Sequence, residues 1–245
     1  MIFLRMSTPI ELLWKQAVKT FSGCESLGYK MCKNNFDKLN GMINNIRAED
    51  VCVDKRTLDH VENDDAPMCV IDIFENNDIT IAIFLLKHGQ TLPMHDHPGM
   101  HGLLKVICGT VKIDSYTPIK PTENLSNCTE VLALKHPSKI VGKNDPACVL
   151  LPHEQNLHEI TCIEGPVAFL DVLSPSYNVS SNRSCTFFKQ VPDGSTSPLS
   201  SPTSSSSSSS TKSSDDLPAK VKLLVTEQPP DFYSTSLKYL GPPLR

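Results

Sequence analysis

No two cysteines of this chain form a CxxC pair, although there are nine cysteines among its 245 residues. The odd number and scattered placing exclude a disulfide framework and a zinc ribbon, and point to free thiols in a reducing compartment. No apolar run approaches the roughly 20 residues of a membrane span, and the opening MIFLRMSTPIELLW is too short in apolar residues for a secretory signal. The expected location is therefore the cytoplasm, or the nucleus, where the sequons at Asn124, Asn127, Asn178 and Asn182 are inert. Dense Lys/Arg clusters are missing too, and the net charge is −4, so neither nucleic acid nor a membrane surface is expected as a partner. Nothing marks an exposed self-association seam, and a monomer is expected.

Helical periodicity is confined to the N-terminal part. In TPIELLWKQAVKTF, Thr8 can cap the helix, Pro9 takes the first helical position and Glu11 completes a capping box. Ile10, Leu13, Trp14, Val18 and Phe21 then share one apolar face. A second helix is expected over NNFDKLNGMINNI, with Phe36, Leu39, Met42, Ile43 and Ile46 on one side. Two short helices bury little alone, so residues 1–50 are read as a helical segment packed on a larger domain.

From about residue 68 no helix-period segment occurs, which excludes a doubly wound α/β fold. MCVIDIFEN, ITIAIFLLK, LLKVICGTVKIDSYTPI, TEVLALKH, CVLLPH, LHEITCI and PVAFLDVLS are short β-rich runs separated by turn-like pieces. They predict a mainly β fold, an antiparallel sandwich or barrel, over residues 51–193. The low-complexity stretch 194–216 cannot offset its own ordering entropy and is expected to be a disordered Ser-rich insertion. Residues 217–245 recover apolar and aromatic content and are expected to complete the barrel.

Within LPMHDHPGM, His95 and His97 stand on alternate positions. In an extended segment both imidazoles face one way, as two ligands of one metal ion must. A catalytic metal site usually takes three protein ligands and keeps positions open for substrate. LPHEQNLHEI offers His153 and His158; His158 lies in a strand-like alternation and is the favoured third ligand, with His153 beside it at a turn. His101 is read as structural rather than as a fourth ligand.

The stretch HGQTLPMHDHPGMHGLLKVICGTVKIDSY resembles the first cupin motif, Gly-x5-His-x-His-x4-Glu-x6-Gly. Gly89, His95, His97 and Gly109 fall on its spacing, but Gly102 occupies the glutamate position. With HDHPGMHGLLKV, NLHEI, GPVAFLDVLSPSY and the terminal DFY…GPP, the chain resembles the cysteamine dioxygenase and plant cysteine oxidase family of three-histidine cupin thiol dioxygenases. That resemblance implies a cupin (double-stranded β-helix, jelly-roll) barrel with short N-terminal helices. It further implies Fe(2+) held by His95, His97 and His158, and addition of both atoms of O2 to a thiol to give a sulfinic acid. The implied substrates are cysteamine, giving hypotaurine, and the N-terminal cysteine of peptides and proteins, the latter with a role in oxygen sensing. Asp171 and Tyr177 match positions the family places near the substrate: Asp171 to hold an ammonium, directly or through water, or to hydrogen-bond a ligand histidine, Tyr177 to donate a hydrogen bond to oxygen or substrate. Two departures stand out. Phe187 replaces the tyrosine that some relatives crosslink to the cysteine at position 185, so no crosslink is expected and Cys185 is read as an ordinary buried thiol. SPSY replaces PPY, which predicts a looser loop before Tyr177. The competing readings are a free-cysteine dioxygenase, for which no motif-matched arginine is found, and a non-catalytic metal-binding cupin.

Overall fold

The computed structural model describes residues 6–119, 125, 128–192 and 219–245. The Ser-rich stretch 194–216 and the sequons at Asn124 and Asn127 lie outside the described residues.

Helix α1 (Pro9–Phe21) begins where the capping signal places it, with Thr8 Oγ1 accepting from the Glu11 amide at 3.4 Å. Ile10, Leu13, Ala17 and Phe21 are buried, and Trp14 and Val18 pack at the margin. Helix α2 (Lys33–Ile43) is shorter than its apolar pattern suggests: Ile46 is buried, but from the turn beyond the helix. A third helix, α3 (Lys55–Asn63), was not evident in the pattern, because Leu58 and Val61 are its only large apolar residues. It is started by Asp54, whose Oδ1 accepts from the Thr57 amide at 2.9 Å.

The expected β-rich runs form strands β1 (Met68–Glu75), β2 (Thr80–Leu86), β4 (His101–Pro118), β5 (Glu130–Lys135), β7 (Cys148–Leu150) and β8 (Leu157–Ser174). Strands β3 (Thr91–His95), β6 (Lys139–Gly142), β9 (Phe187–Gln190), β10 (Ala219–Thr226) and β11 (Ser234–Ser236) lie between and after them. LHEITCI and PVAFLDVLS are not separate strands but the two halves of β8. Pairing runs β8–β3–β9–β10–β5–β4 and returns from β4 to β8, which closes a barrel and leaves no edge among those six strands. The flanking β1 and β2 extend the sheet from β8, and β11 adds to β1 in parallel. The architecture is a mainly β fold with a closed barrel, in which β10 pairs with β5 and β9.

Alternation along β8 decides which residues meet the helices and which look inward. Leu170 and Val172 pack in one cluster with Ile10, Leu13 and Phe21, so the helical segment covers the outer face of β2 and β8. Val167 and Phe169 join the inner cluster, and Asp171, two positions on, faces the same interior. The register irregularity in β4 between Cys108 and Thr110 needs Gly109, where φ is +74° and a Cβ would stand 2.6 Å from the Glu164 carbonyl oxygen.

Candidate metal centre

The barrel brings His95, His97 and His158 together. His95 and His158 are register partners across β3 and β8, after a register irregularity between Leu92 and His95. His97 is not on the strand: β3 ends at His95, and Pro98 and Gly99 turn the chain, with the Met100 amide bonding the His97 carbonyl at 3.0 Å. The alternate facing expected of an extended segment therefore has a different cause for His97. Asn156, on the connection into β8, grips it twice. The His97 amide donates to Asn156 Oδ1 at 3.1 Å, and His97 Nδ1 donates to the Asn156 carbonyl at 3.0 Å.

The imidazole centroids are 4.7–4.8 Å apart pairwise, and the nearest ligand-capable nitrogens all fall within 4.8 Å of one another. All three side chains are buried, and burial lowers each pKa: to about 4 for His95, to about 3 for His97, and well below the usual value for His158. The rings are thus neutral at physiological pH. His95 Nδ1 bonds the Pro93 carbonyl at 2.9 Å and His97 Nδ1 bonds that of Asn156, so on both rings Nδ1 carries the proton and Nε2 keeps its lone pair. Three neutral, buried, convergent imidazoles fit a metal ion, and such backbone-fixed tautomers are the usual support of metal-ligating histidine.

The missing acid of the cupin motif has a steric counterpart. A Cβ at Gly102 would meet Leu150 Cδ1 and Leu173 Cδ2, both at 3.0 Å, so the position has no room for glutamate without displacing two core side chains.

A cavity of about 200 Å³ opens beside His95 and His97, walled by Met68, Phe84, Leu92 and Phe232. Asp171 lies in its lining. Its carboxyl is buried, Oδ1 has no hydrogen-bond partner among the described residues, and burial raises its pKa well above the carboxylate range. Tyr177 also lines the cavity, its ring 5.8 Å from that of His97, but its hydroxyl donates to the Asp96 carbonyl at 2.6 Å. Cys185, expected to be buried, is exposed as a residue because it sits in the irregular connection before β9. Its thiol nevertheless turns inward to the Tyr177 hydroxyl, and burial of the sulfur pushes its pKa to about 12.

Residues 42–244 match the sequence pattern of the PCO_ADO family. The chain belongs to that family. Relatives include the 2-aminoethanethiol dioxygenase of Homo sapiens, 33% identical with 85% of this chain and 80% of that one covered. The mouse (Mus musculus) protein of the same name is 31% identical, covering 97% and 96%. Plant cysteine oxidase 2 of Arabidopsis thaliana is 26% identical, covering 77% and 69%.

In this PCO_ADO chain the other histidines stand apart from the triad. His153 is exposed, and the His101 ring packs between Phe21 and Phe36 at 6.1 and 6.0 Å. Three residues matter that periodicity did not reveal. Asn156 holds His97. Asp96, between the two ligand candidates, is buried, accepts from the Thr186 amide at 2.8 Å and returns its own amide to the Thr186 carbonyl at 3.1 Å. Ser176 overturns the expectation of a loose SPSY loop: its hydroxyl donates to the Asn76 carbonyl at 2.7 Å and accepts from Thr80 Oγ1 at 2.7 Å. Proline could make neither bond.

Proposed function

We propose that this protein is an iron(II) thiol dioxygenase acting on thiols that carry an amine two carbons away: cysteamine and the N-terminal cysteine of peptides and proteins. One observation carries the reading: a buried three-histidine site shares its cavity with a buried carboxyl group whose Oδ1 has no partner among the described residues, and, among the described lining residues, with no lysine or arginine. The relatives named for 2-aminoethanethiol and for cysteine support the same substrate class.

His95, His97 and His158 would hold iron(II), which would supply redox-active chemistry that lets triplet dioxygen combine with a closed-shell thiol. Both oxygen atoms pass to sulfur, so RSH and O2 give RSO2H without a further reductant. Three neutral imidazoles would leave a bound ferrous ion's charge uncompensated, which would favour a substrate that arrives as thiolate. Asp171 holds its proton while its surroundings are apolar; a substrate ammonium supplies the opposite charge that ionises it and anchors the amine. The α-carboxylate of free cysteine would face Asp171 with no cation to receive it, which disfavours that substrate. Tyr177 has its one proton committed to Asp96, so its assigned role is to fix the His95–His97 segment, with the Cys185 thiol beside the phenol. The apolar walls exclude bulk water from the reacting sulfur.

The test is product formation by the Fe(II)-loaded chain with cysteamine and with a Cys-initiated peptide, in air and under nitrogen, with His97→Ala as control. Oxygen-dependent gain of two oxygen atoms, lost in the variant, is the expected result. Absence of product from both thiols contradicts the proposal.

A further inference from the structure

We propose that an ion pair between Glu25 and Arg183 lets the N-terminal helical segment hold the Tyr177 loop in register with the histidine triad, making Arg183 a positioning residue for thiol oxidation. This rests on the function proposed above, and it concerns residues with no contact to the metal or substrate.

The loop after β8 carries Tyr177 and is pinned on both sides of it. Before Tyr177, the Ser176 amide donates to the Asn77 carbonyl at 3.2 Å, and the Ser176 hydroxyl bonds Asn76 and Thr80. After it, Asn178 and Arg183 exchange two backbone hydrogen bonds, both 2.9 Å, closing a short turn. The Arg183 side chain folds back across this turn. Its Nε donates to the Ser176 carbonyl at 2.9 Å, and its Nη2 stands 2.7 Å from Glu25 Oε1, a close charge contact that lacks hydrogen-bond geometry. The Arg183 side chain is only 12% exposed. A guanidinium so far withdrawn from water depends on its carboxylate, unlike a pair on open surface.

Glu25 in turn belongs to a turn after α1 that is tied to the barrel. The Gly23 amide donates to Asp78 Oδ2 at 3.0 Å, and Cys24 Sγ lies 3.4 Å from Asp78 Oδ1. Asp78 is in the β1–β2 turn, next to the Asn76 and Asn77 carbonyls that hold Ser176. Three segments distant in sequence, residues 23–25, 76–78 and 176–183, therefore meet around one loop. From that loop the path to the metal site is short: Tyr177 hydroxyl to the Asp96 carbonyl, with Asp96 between His95 and His97. A shift of about 1 Å in a group that orients a reaction centre is enough to lower turnover by about a hundredfold. The helical segment thus sets the loop instead of merely covering the sheet.

The experiment compares the full-length, Fe(II)-loaded chain with Arg183→Ala, Arg183→Lys and Glu25→Ala. It measures kcat and KM for cysteamine, iron per chain, and amide exchange over residues 174–187. The expected result for Arg183→Ala is a fall in kcat of about ten- to a hundredfold, with KM changed less, iron content retained, and faster exchange confined to that loop. Arg183→Lys keeps the charge but loses the fork that reaches Ser176, and falls between. The double variant Glu25→Ala/Arg183→Ala is no worse than Arg183→Ala alone, because both remove one coupled interaction. Unchanged kcat and unchanged loop exchange in Arg183→Ala overturn the proposal, as does activity lost only in proportion to lost iron. Should Arg183→Ala fail to fold, Glu25→Ala decides, since that side chain is 38% exposed and lies in a turn. A wild-type chain that oxidises no thiol refutes the function proposed above; the exchange measurement still reads the latch independently.

Discussion

His95 on β3 and His158 on β8 are direct partners in the sheet register, with ring centroids 4.7 Å apart. Two candidate ligand positions are therefore set by backbone pairing, and the third, His97, by Asn156. Replacing Asn156 by alanine is expected to weaken metal binding about 10–100-fold, the usual effect of removing a group that orients a ligand. His158→Ala is expected to abolish tight binding. Titration against a competing chelator measures both, and an Asn156→Ala variant with unchanged affinity would count against this division of labour.

Acid should release the metal late. Protons compete with the metal for the Nε2 lone pair, and an ordinary histidine begins that competition near pH 6.5. Burial lowers the His95 pKa to about 4 and that of His97 to about 3, so the competition moves down with them. Metal content after gel filtration is expected to stay flat from neutral to about pH 5 and to fall below it. Half-release near pH 6.5 would show that the site is more open than its burial implies.

Asp171→Asn keeps the shape of the side chain and removes its charge. A hydrogen bond to a charged group contributes about 1.5–3 kcal/mol, so KM for cysteamine is expected to rise by about ten- to a hundredfold. Because Asp171 Oδ1 has no partner among the described residues, thermal stability should not drop. Steady-state kinetics beside a melting curve separates the two effects; an unchanged KM removes Asp171 from substrate binding.

Gly102→Glu restores the acid of the general cupin motif but not a ligand. Leu150 Cδ1 and Leu173 Cδ2 would stand 3.0 Å from its Cβ, so overpacking is expected to destabilise the fold by about 1–3 kcal/mol. Denaturant unfolding measures this directly. A variant as stable as the parent and tighter for metal would contradict the steric account.

Much of this architecture is legible in the sequence because period and spacing encode it. The Thr8–Pro9–Glu11 signal starts α1, period-2 runs mark the long strands, and the cupin spacing brings out His95, His97 and Gly109. The remainder depends on contacts that no local pattern records. Helix α3 has too few apolar residues to show a face, and β3 and β9 are too short to alternate visibly. Asn156 matters only because the fold sets it beside His97, 59 positions away. Ser176 shows the limit most plainly: its sequence neighbours suggest looseness, yet its hydroxyl is tied to a turn 100 residues upstream.

The most direct test of the central claim is the source of the product oxygen. Fe(II)-loaded protein is given cysteamine under isotopically heavy dioxygen in ordinary water, and the sulfinic product is weighed by mass spectrometry. Dioxygenation by the three-histidine site predicts that both oxygen atoms carry the label. Product with one or no labelled oxygen, or no product at all, would contradict it.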